Sequence, residues 1–158
     1  MEIERDSAGV RFPPPLAFLG TLVAGWLLGK LIGNPGIPLH GWHLTRNLGW
    51  FALVGGFAIM LTAVGLFRKS GTDPKPWKAV TAFVTEGVYR WTRNPMYLGM
   101  ALIYLGFALL LNSLVALILL FPLVFVIQKE VIEREERYME SRFGDAYRDY
   151  KARVRRWI

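Results

Sequence analysis

The sequence predicts an all-α fold: an integral membrane helical bundle of about four spans, with a C-terminal amphipathic helix covering a cytosolic pocket. Three observations carry this expectation. Long segments lack any charged residue. The chain is both oily and basic, with 53% hydrophobic residues, a mean hydropathy of +0.31 and a formal net charge of +7. The charges also cluster between and after the apolar segments, as loops at one membrane face would require.

A chain of 158 residues makes one domain. Its basic character belongs to membrane loops rather than to a soluble scaffold, so nucleic acid is not an expected partner. There is no cysteine, which excludes disulfides and thiolate metal sites. His40 and His43 share one short loop without a nearby carboxylate, and no metal site is expected. The first eleven residues include Glu2, Glu4 and Asp6 and no clean cleavage pattern, and so read as a cytosolic N-terminus.

The first span is Pro15–Ile32, apolar except for Lys30, which can snorkel to the interface. The second, Leu48–Phe67, has 20 residues without charge, enough to cross about 30 Å of hydrocarbon. From Asn94 to Gln128 there are 35 uncharged residues. One helix of that length would run roughly 52 Å, too long for a single crossing. Asn112-Ser113 supplies turn chemistry midway. The expectation is therefore a hairpin of two short helices, Pro95–Leu111 and Leu114–Gln128, with Pro122 kinking the second. Gly25, Gly29 and Gly33 recur every fourth residue on the first span, a smooth stripe for close helix approach within the chain or across a homodimer.

Charge orients the spans. With both termini and the middle loop in the cytosol, 17 of the 19 Lys and Arg lie on that side; only Lys30 and Arg46 do not. This pattern suits a multi-pass protein of a bacterial-type plasma membrane. After the hairpin, Ile132, Met139, Phe143, Tyr147, Tyr150 and Val154 form one apolar helical face, with Gly144 as a point of bending or interruption. Ser70–Lys78 is the linker between a two-span N-terminal hairpin, 1–67, and a C-terminal region, 79–158.

Two polar clusters flank the predicted hairpin. In Arg93-Asn94-Pro95, Asn94 is an N-cap and Pro95 a first-turn residue, which reads either as a plainly capped membrane helix with an interfacial arginine or as an anion site made by free backbone N–H groups and the Arg93 fork. The second cluster is Glu130, Glu133, Glu135 and Glu136. It reads either as i,i+4 pairing with Arg134 and Arg137 or as carboxylates turned inward to accept from a ribose or face a cation. A hairpin brings both clusters together with Tyr89 and Tyr97. Such a pocket suits a zwitterionic, nucleoside-bearing ligand such as S-adenosylmethionine, whose sulfonium is attracted to aromatic faces; another nucleotide would also fit. No G-x-G-x-x-G fingerprint occurs.

The segment from Phe83 to Gly99, including Thr85, Gly87, Tyr89, Arg93-Asn94-Pro95, Tyr97 and Gly99, is followed by an apolar hairpin. Then come Glu135-Glu136, Met139, Phe143-Gly144, Tyr147, Tyr150 and Val154. This order resembles the isoprenylcysteine carboxyl methyltransferase and phospholipid methyltransferase superfamily over Phe83–Val154, nearly half the chain. The resemblance implies an S-adenosylmethionine-dependent membrane methyltransferase acting on a lipid-borne or small hydrophobic acceptor. Its cofactor contacts would fall on Tyr89, Arg93, Asn94, Pro95, Tyr97, Leu98, Gly99, Glu135 and Glu136. Arg153, in Lys-Ala-Arg-Val, matches an arginine that would orient the acceptor. Glu130, Glu136 or Tyr147 would take a proton from an amine acceptor. Asn94 stands where the isoprenylcysteine enzymes carry His. Two other readings remain open at this level: an NADPH-dependent reductase of sterol-reductase-like architecture, and a non-catalytic membrane subunit.

Overall fold

The computed structural model describes residues 8–10, 12–39, 41–71 and 83–158. His40 and most of the Ser70–Lys78 linker lie outside these residues. Every regular element among the described residues is helical, as expected.

The first helix, α1 (Pro14–Leu31), opens on a run of prolines whose fixed φ suits a first helical turn. The second, α2 (Trp42–Lys69), is 28 residues long and extends well before the uncharged stretch. It ends with Arg68 and Lys69 in its last turn, where cations complement the helix dipole. A short 3-10 turn, Gly87–Arg90, precedes α3 (Pro95–Leu110) and α4 (Leu114–Ile127). The turn between α3 and α4 falls at Asn112-Ser113. Asn112 takes a positive φ of 47° and accepts from the Ile37 N–H at 3.0 Å, while the Ser113 hydroxyl caps α4 at Ala116 N. The helix runs through Pro122 and then widens into a π-helical turn, Gln128–Ile132, before α5 (Glu133–Phe143). The passage of the helix through Pro122 falls within the expected bounds, whereas the π turn was not expected from composition.

The amphipathic stretch expected after the hairpin, with Gly144 as its point of bending or interruption, is interrupted there into two helices. Gly144 sits at φ 55°, ψ −129°, a conformation outside the helical basin, and it separates α5 from α6 (Asp145–Arg153).

α1, α2 and the run Leu114–Phe143 are each long and apolar enough to cross a membrane, whereas α3, at 16 residues, is a shorter apolar helix. In the third of these the uncharged part ends at Gln128, so α5 projects beyond it. This is an integral membrane helical bundle. α1 packs chiefly on α4, and α2 on α3. The α2–α3 seam is built from reciprocal glycines. A Cβ on Gly56 would meet the Gly99 carbonyl oxygen at 2.8 Å, one on Gly99 would meet that of Gly56 at 2.8 Å, and one on Gly106 would meet that of Gly49 at 2.8 Å. Of the glycine stripe on the first span, Gly25 and Gly29 pack within the chain against Ala116 and Ser113. Gly33 lies past the helix end at positive φ, where an added Cβ would meet nothing within 4 Å.

The bundle has two distinct ends. The loop 32–39 meets the Asn112 turn at one end through Ile37 and through Leu114 N–H to Pro35 O. At the other end Leu66 of α2 touches Gly87, and Val10 and Phe12 pack in the cluster that contains Val131, Ile132 and Trp157. The polar cluster lies at this second end.

Candidate functional site

Four chain segments converge where α3 begins: residues 92–97, the first turn of α5, the faces of α6, and the extended C-terminal strap, 154–158. They meet because α3 and α4 are antiparallel, which returns α5 to the start of α3. The strap then crosses back, with the Arg93 N–H donating to Arg155 O at 2.9 Å.

Glu136 is the centre of one half of the site. It is 4% exposed. Arg93 Nη2 and Nε donate to its Oε1 at 2.8 and 3.1 Å. Arg156 Nη2 donates to Oε2 at 2.7 Å and its Nε to Oε1 at 3.1 Å. Burial alone would raise the proton affinity of this carboxyl. The hydrogen bonds from Arg156 and Arg93 outweigh it and hold Glu136 below the usual carboxylate range. Arg93 also donates through Nη1 to the carbonyls of Lys151 and Val154, both at 2.8 Å. Four of its five N–H groups thus have protein acceptors. The fork expected to receive a ligand carboxylate instead holds the C-terminal strap and Glu136.

Glu135 is the centre of the other half. The Tyr97 hydroxyl donates to its Oε1 at 2.6 Å. Its other carboxylate oxygen has no hydrogen bond among the described residues. Burial pushes Glu135 up to about 7, the Tyr97 hydrogen bond works against the rise, and the charge of Glu136 adds to it. Tyr89 is buried close enough to feel the charge of Glu135, and its phenol is pushed up by burial first, then by Tyr150 and Glu135. Tyr150 donates to the Tyr89 carbonyl at 2.7 Å, which fixes α6 against the 3-10 turn. Tyr147 is 5% exposed, and its hydroxyl makes no hydrogen bond among the described residues. Burial, and then the charge of Glu136, pushes its phenol up, so it stays protonated. Phe83 packs against Phe143, Tyr147 and Tyr150, with centroids 4.9, 5.8 and 6.0 Å away.

The remaining expected residues divide. Asn94 occupies the N-cap position of α3, but its side chain does not cap; it donates to Arg156 O at 3.0 Å, beside the Thr92 hydroxyl at 3.1 Å. Pro95 is fully buried and Leu98 half-buried. Gly99 is spent on the α2 seam rather than on an open pocket wall. Arg153 is exposed and donates to Asp149 O at 3.2 Å, so it is not brought to the cluster. Glu130 makes the i,i+4 pair with Arg134 at 2.7 Å and points away. Among the described residues no group of His, Asp and Glu is arranged to hold a metal ion.

Sequence reasoning missed Arg156, Thr92 and Trp157. Arg156 binds Glu136 and approaches Glu133 at 3.6 Å. Trp157 Nε1 donates to Gln128 at 2.8 Å, pinning the strap to the π turn. The signal was present in Arg155-Arg156-Trp157, two cations and an indole just past a helix end, but these arginines entered only the count of basic residues that orients the spans.

The fold and site define a class: a membrane helical bundle whose polar, aromatic-walled cluster sits at one end of an apolar hairpin. The phospholipid methyltransferase family profile matches residues 44–146, and the chain belongs to that family of methyltransferases. It is 35% identical to the protein-S-isoprenylcysteine O-methyltransferase of Schizosaccharomyces pombe over 71 residues, 45% of this chain and 30% of the relative. It is 28% identical to protein-S-isoprenylcysteine O-methyltransferase B of Arabidopsis thaliana over 129 residues, 80% of this chain and 64% of the relative. An uncharacterized protein of Haemophilus influenzae is 46% identical over 63 residues, 40% of this chain and 100% of the relative. The chain thus spans less than two thirds of the methyltransferases it matches.

Proposed function

We propose that this protein is an S-adenosylmethionine-dependent methyltransferase that methylates a lipid-borne or small hydrophobic acceptor at the membrane surface. Family membership supports the reaction class. The observation that carries the site is the Tyr97–Glu135 hydrogen bond beside the Tyr89 and Tyr147 rings, with one Glu135 oxygen and the Tyr147 hydroxyl left unpaired among the described residues.

This donor set fits the cofactor unevenly. The free Glu135 oxygen can accept from a ribose diol, and the tyrosine faces can line an adenine or attract a sulfonium. For the amino-acid carboxylate, Arg93 has little donor capacity left. The first free N–H groups of α3, at Met96 and Tyr97, are the better candidates. Leu98 and the backbone around Pro95 complete that wall. When bound, the cofactor supplies an electrophilic methyl group for direct displacement.

The chain's own task is to align the acceptor and keep water out. Glu136 is clamped as a charged carboxylate and is a poor base. Tyr147 remains a hydroxyl that donates. Of the groups here Glu135, with its raised proton affinity and open oxygen, is best suited to take a proton from an amine acceptor. A carboxylate acceptor would need no base. The glycine-tight α2–α3 seam leaves no room for a lipid chain between them. An apolar groove of about 450 Å³ between α1 and α4, lined by Phe12, Thr21, Pro122 and Leu123 among others, offers the acceptor an approach from lipid. On this reading 79–158 holds the cofactor and 1–67 shapes the approach of the acceptor.

Calorimetric titration of detergent-purified protein with S-adenosylhomocysteine, with NADPH as comparison, tests the reading. Saturable micromolar binding of the first alone is expected. Binding of NADPH alone would move the function to reduction, and binding of neither by folded protein would leave a non-catalytic subunit.

A further inference from the structure

Arg156 occupies a position that no pairwise description captures, because it binds with both its ends. Its guanidinium takes Glu136 by two hydrogen bonds and approaches Glu133, on the first turn of α5. Its carbonyl accepts from Thr92 Oγ1 and from Asn94 Nδ2, at the approach to α3. The next residue, Trp157, anchors the strap to Gln128 at the π turn. Two segments remote in sequence, the approach to α3 and the first turn of α5, are therefore tied to the strap through Arg156, and Trp157 adds the π turn.

The geometry points to Arg156 as the positioning residue of the site. It touches neither Glu135 nor Tyr97, yet it fixes the two elements that carry them. Glu135 and Glu136 are neighbours on one helical turn. Holding Glu136 from two sides, by Arg93 on the α3 approach and Arg156 on the strap, sets the rotation of that turn and so the direction of the Glu135 carboxylate. The opposite wall is set by the same residue, because the Thr92 and Asn94 side chains that close on its carbonyl lead directly into Pro95 and Tyr97.

Arg93 alone cannot replace it. Two of the hydrogen bonds Arg93 donates go to strap carbonyls, at Lys151 and Val154. Loss of the Arg156 tie loosens the very segment on which Arg93 depends. A lysine at 156 would keep the charge and the backbone carbonyl but not the paired hydrogen bonds to both Glu136 oxygens.

This inference rests on the proposed site, and the experiment separates the two. Full-length wild type, Arg156→Lys and Arg156→Ala proteins are compared by amide hydrogen exchange without ligand and by S-adenosylhomocysteine titration. In Arg156→Ala, protection of amides 133–137 and of the hydrogen-bonded amides of Arg93 and Leu98 is expected to fall about tenfold or more, while α2 amides 48–65 keep theirs. Affinity for S-adenosylhomocysteine is expected to fall about tenfold or more, with partial recovery in Arg156→Lys and on addition of ethylguanidinium to the alanine variant. Unchanged local protection overturns the proposal, and so does a loss spread evenly over α2, which would mark a global role. Should Arg156→Ala not fold, the lysine variant decides: locally reduced protection supports positioning, and wild-type protection overturns it. Wild-type protein that binds no S-adenosylhomocysteine, together with local loss in the variants, refutes the cofactor reading and supports the clamp.

Discussion

Glu135 and Glu136 differ by one position and have opposite chemistry. Glu136 lies between two guanidiniums and its proton affinity is lowered. It therefore contributes stability that is present above the ordinary carboxyl pKa near 4.5 and is lost as pH falls through its lowered value. Replacing it with alanine strands Arg93, nearly buried, and is expected to cost about 3 kcal/mol in thermal unfolding near neutral pH. Glu135 runs the other way. Its folded carboxyl is raised to about 7, so the native state holds a proton that the unfolded state releases, and Glu135 costs stability increasingly from about pH 4.5 to 7. Glu135→Gln keeps an acceptor for Tyr97 and removes that cost. Its stability relative to wild type is expected to rise by about 1 kcal/mol or more between pH 5 and pH 8, while S-adenosylhomocysteine binding weakens. A flat difference across that range would show that Glu135 is well solvated. The residue types of this site were legible in the sequence, but their partners were not. Arg93 and Glu136 are 43 positions apart, and Arg156 reaches Glu136 only because the strap turns back. No local spacing encodes either pairing.

At the scale of elements, hydropathy and turn chemistry placed α1, α3 and α4 closely, because uncharged runs and an Asn-Ser turn are local signals. They placed the start of α2 too late, since the stretch 42–47, with His43, Thr45, Arg46 and Asn47, is polar enough to read as loop yet belongs to the helix. They marked Gly144 without deciding between a bend and a break, because a shared apolar face spans it and only its positive φ breaks the axis. The glycines of α2 are the sharpest test of packing at this scale. Gly56 faces the Gly99 backbone at a separation no Cβ can occupy, whereas a Cβ on the adjacent Gly55 would meet nothing within 4 Å. Gly56→Ala is expected to lower stability in detergent by about 1–3 kcal/mol, because backbone must shift to accept it. Gly55→Ala is expected to be neutral or to stabilise by up to about 1 kcal/mol through helix propensity alone. Equal effects at both positions would mean that α2 and α3 do not cross in this register.

At the scale of the whole molecule, two independent lines predict the same sidedness. Counting Lys and Arg along the sequence puts 17 of 19 on one face. The packing separates the loop 32–39 and the Asn112 turn from the end that holds Leu66, Arg93 and the strap. On the proposed topology the pocket lies at the basic end of the bundle, and the positive-inside rule predicts that this end faces the cytosol. The chain has no cysteine, so single cysteines report without a background. In sealed vesicles of known orientation, Ser70→Cys and Ser141→Cys, both at exposed positions, are expected to react together with a membrane-impermeant maleimide at the cytosolic face. Leu39→Cys, exposed in the loop at the other end, is expected to react only from the opposite face. Reaction of Leu39→Cys alongside Ser70→Cys would mean that α2 does not cross the bilayer. The pocket would then have to draw its acceptor from a different leaflet than the charge pattern implies. Reaction of Ser70→Cys and Ser141→Cys from opposite faces would instead break the α3–α4 hairpin as a return crossing. That would also separate Arg93 from Glu136 across the membrane, which their 2.8 Å contact does not allow.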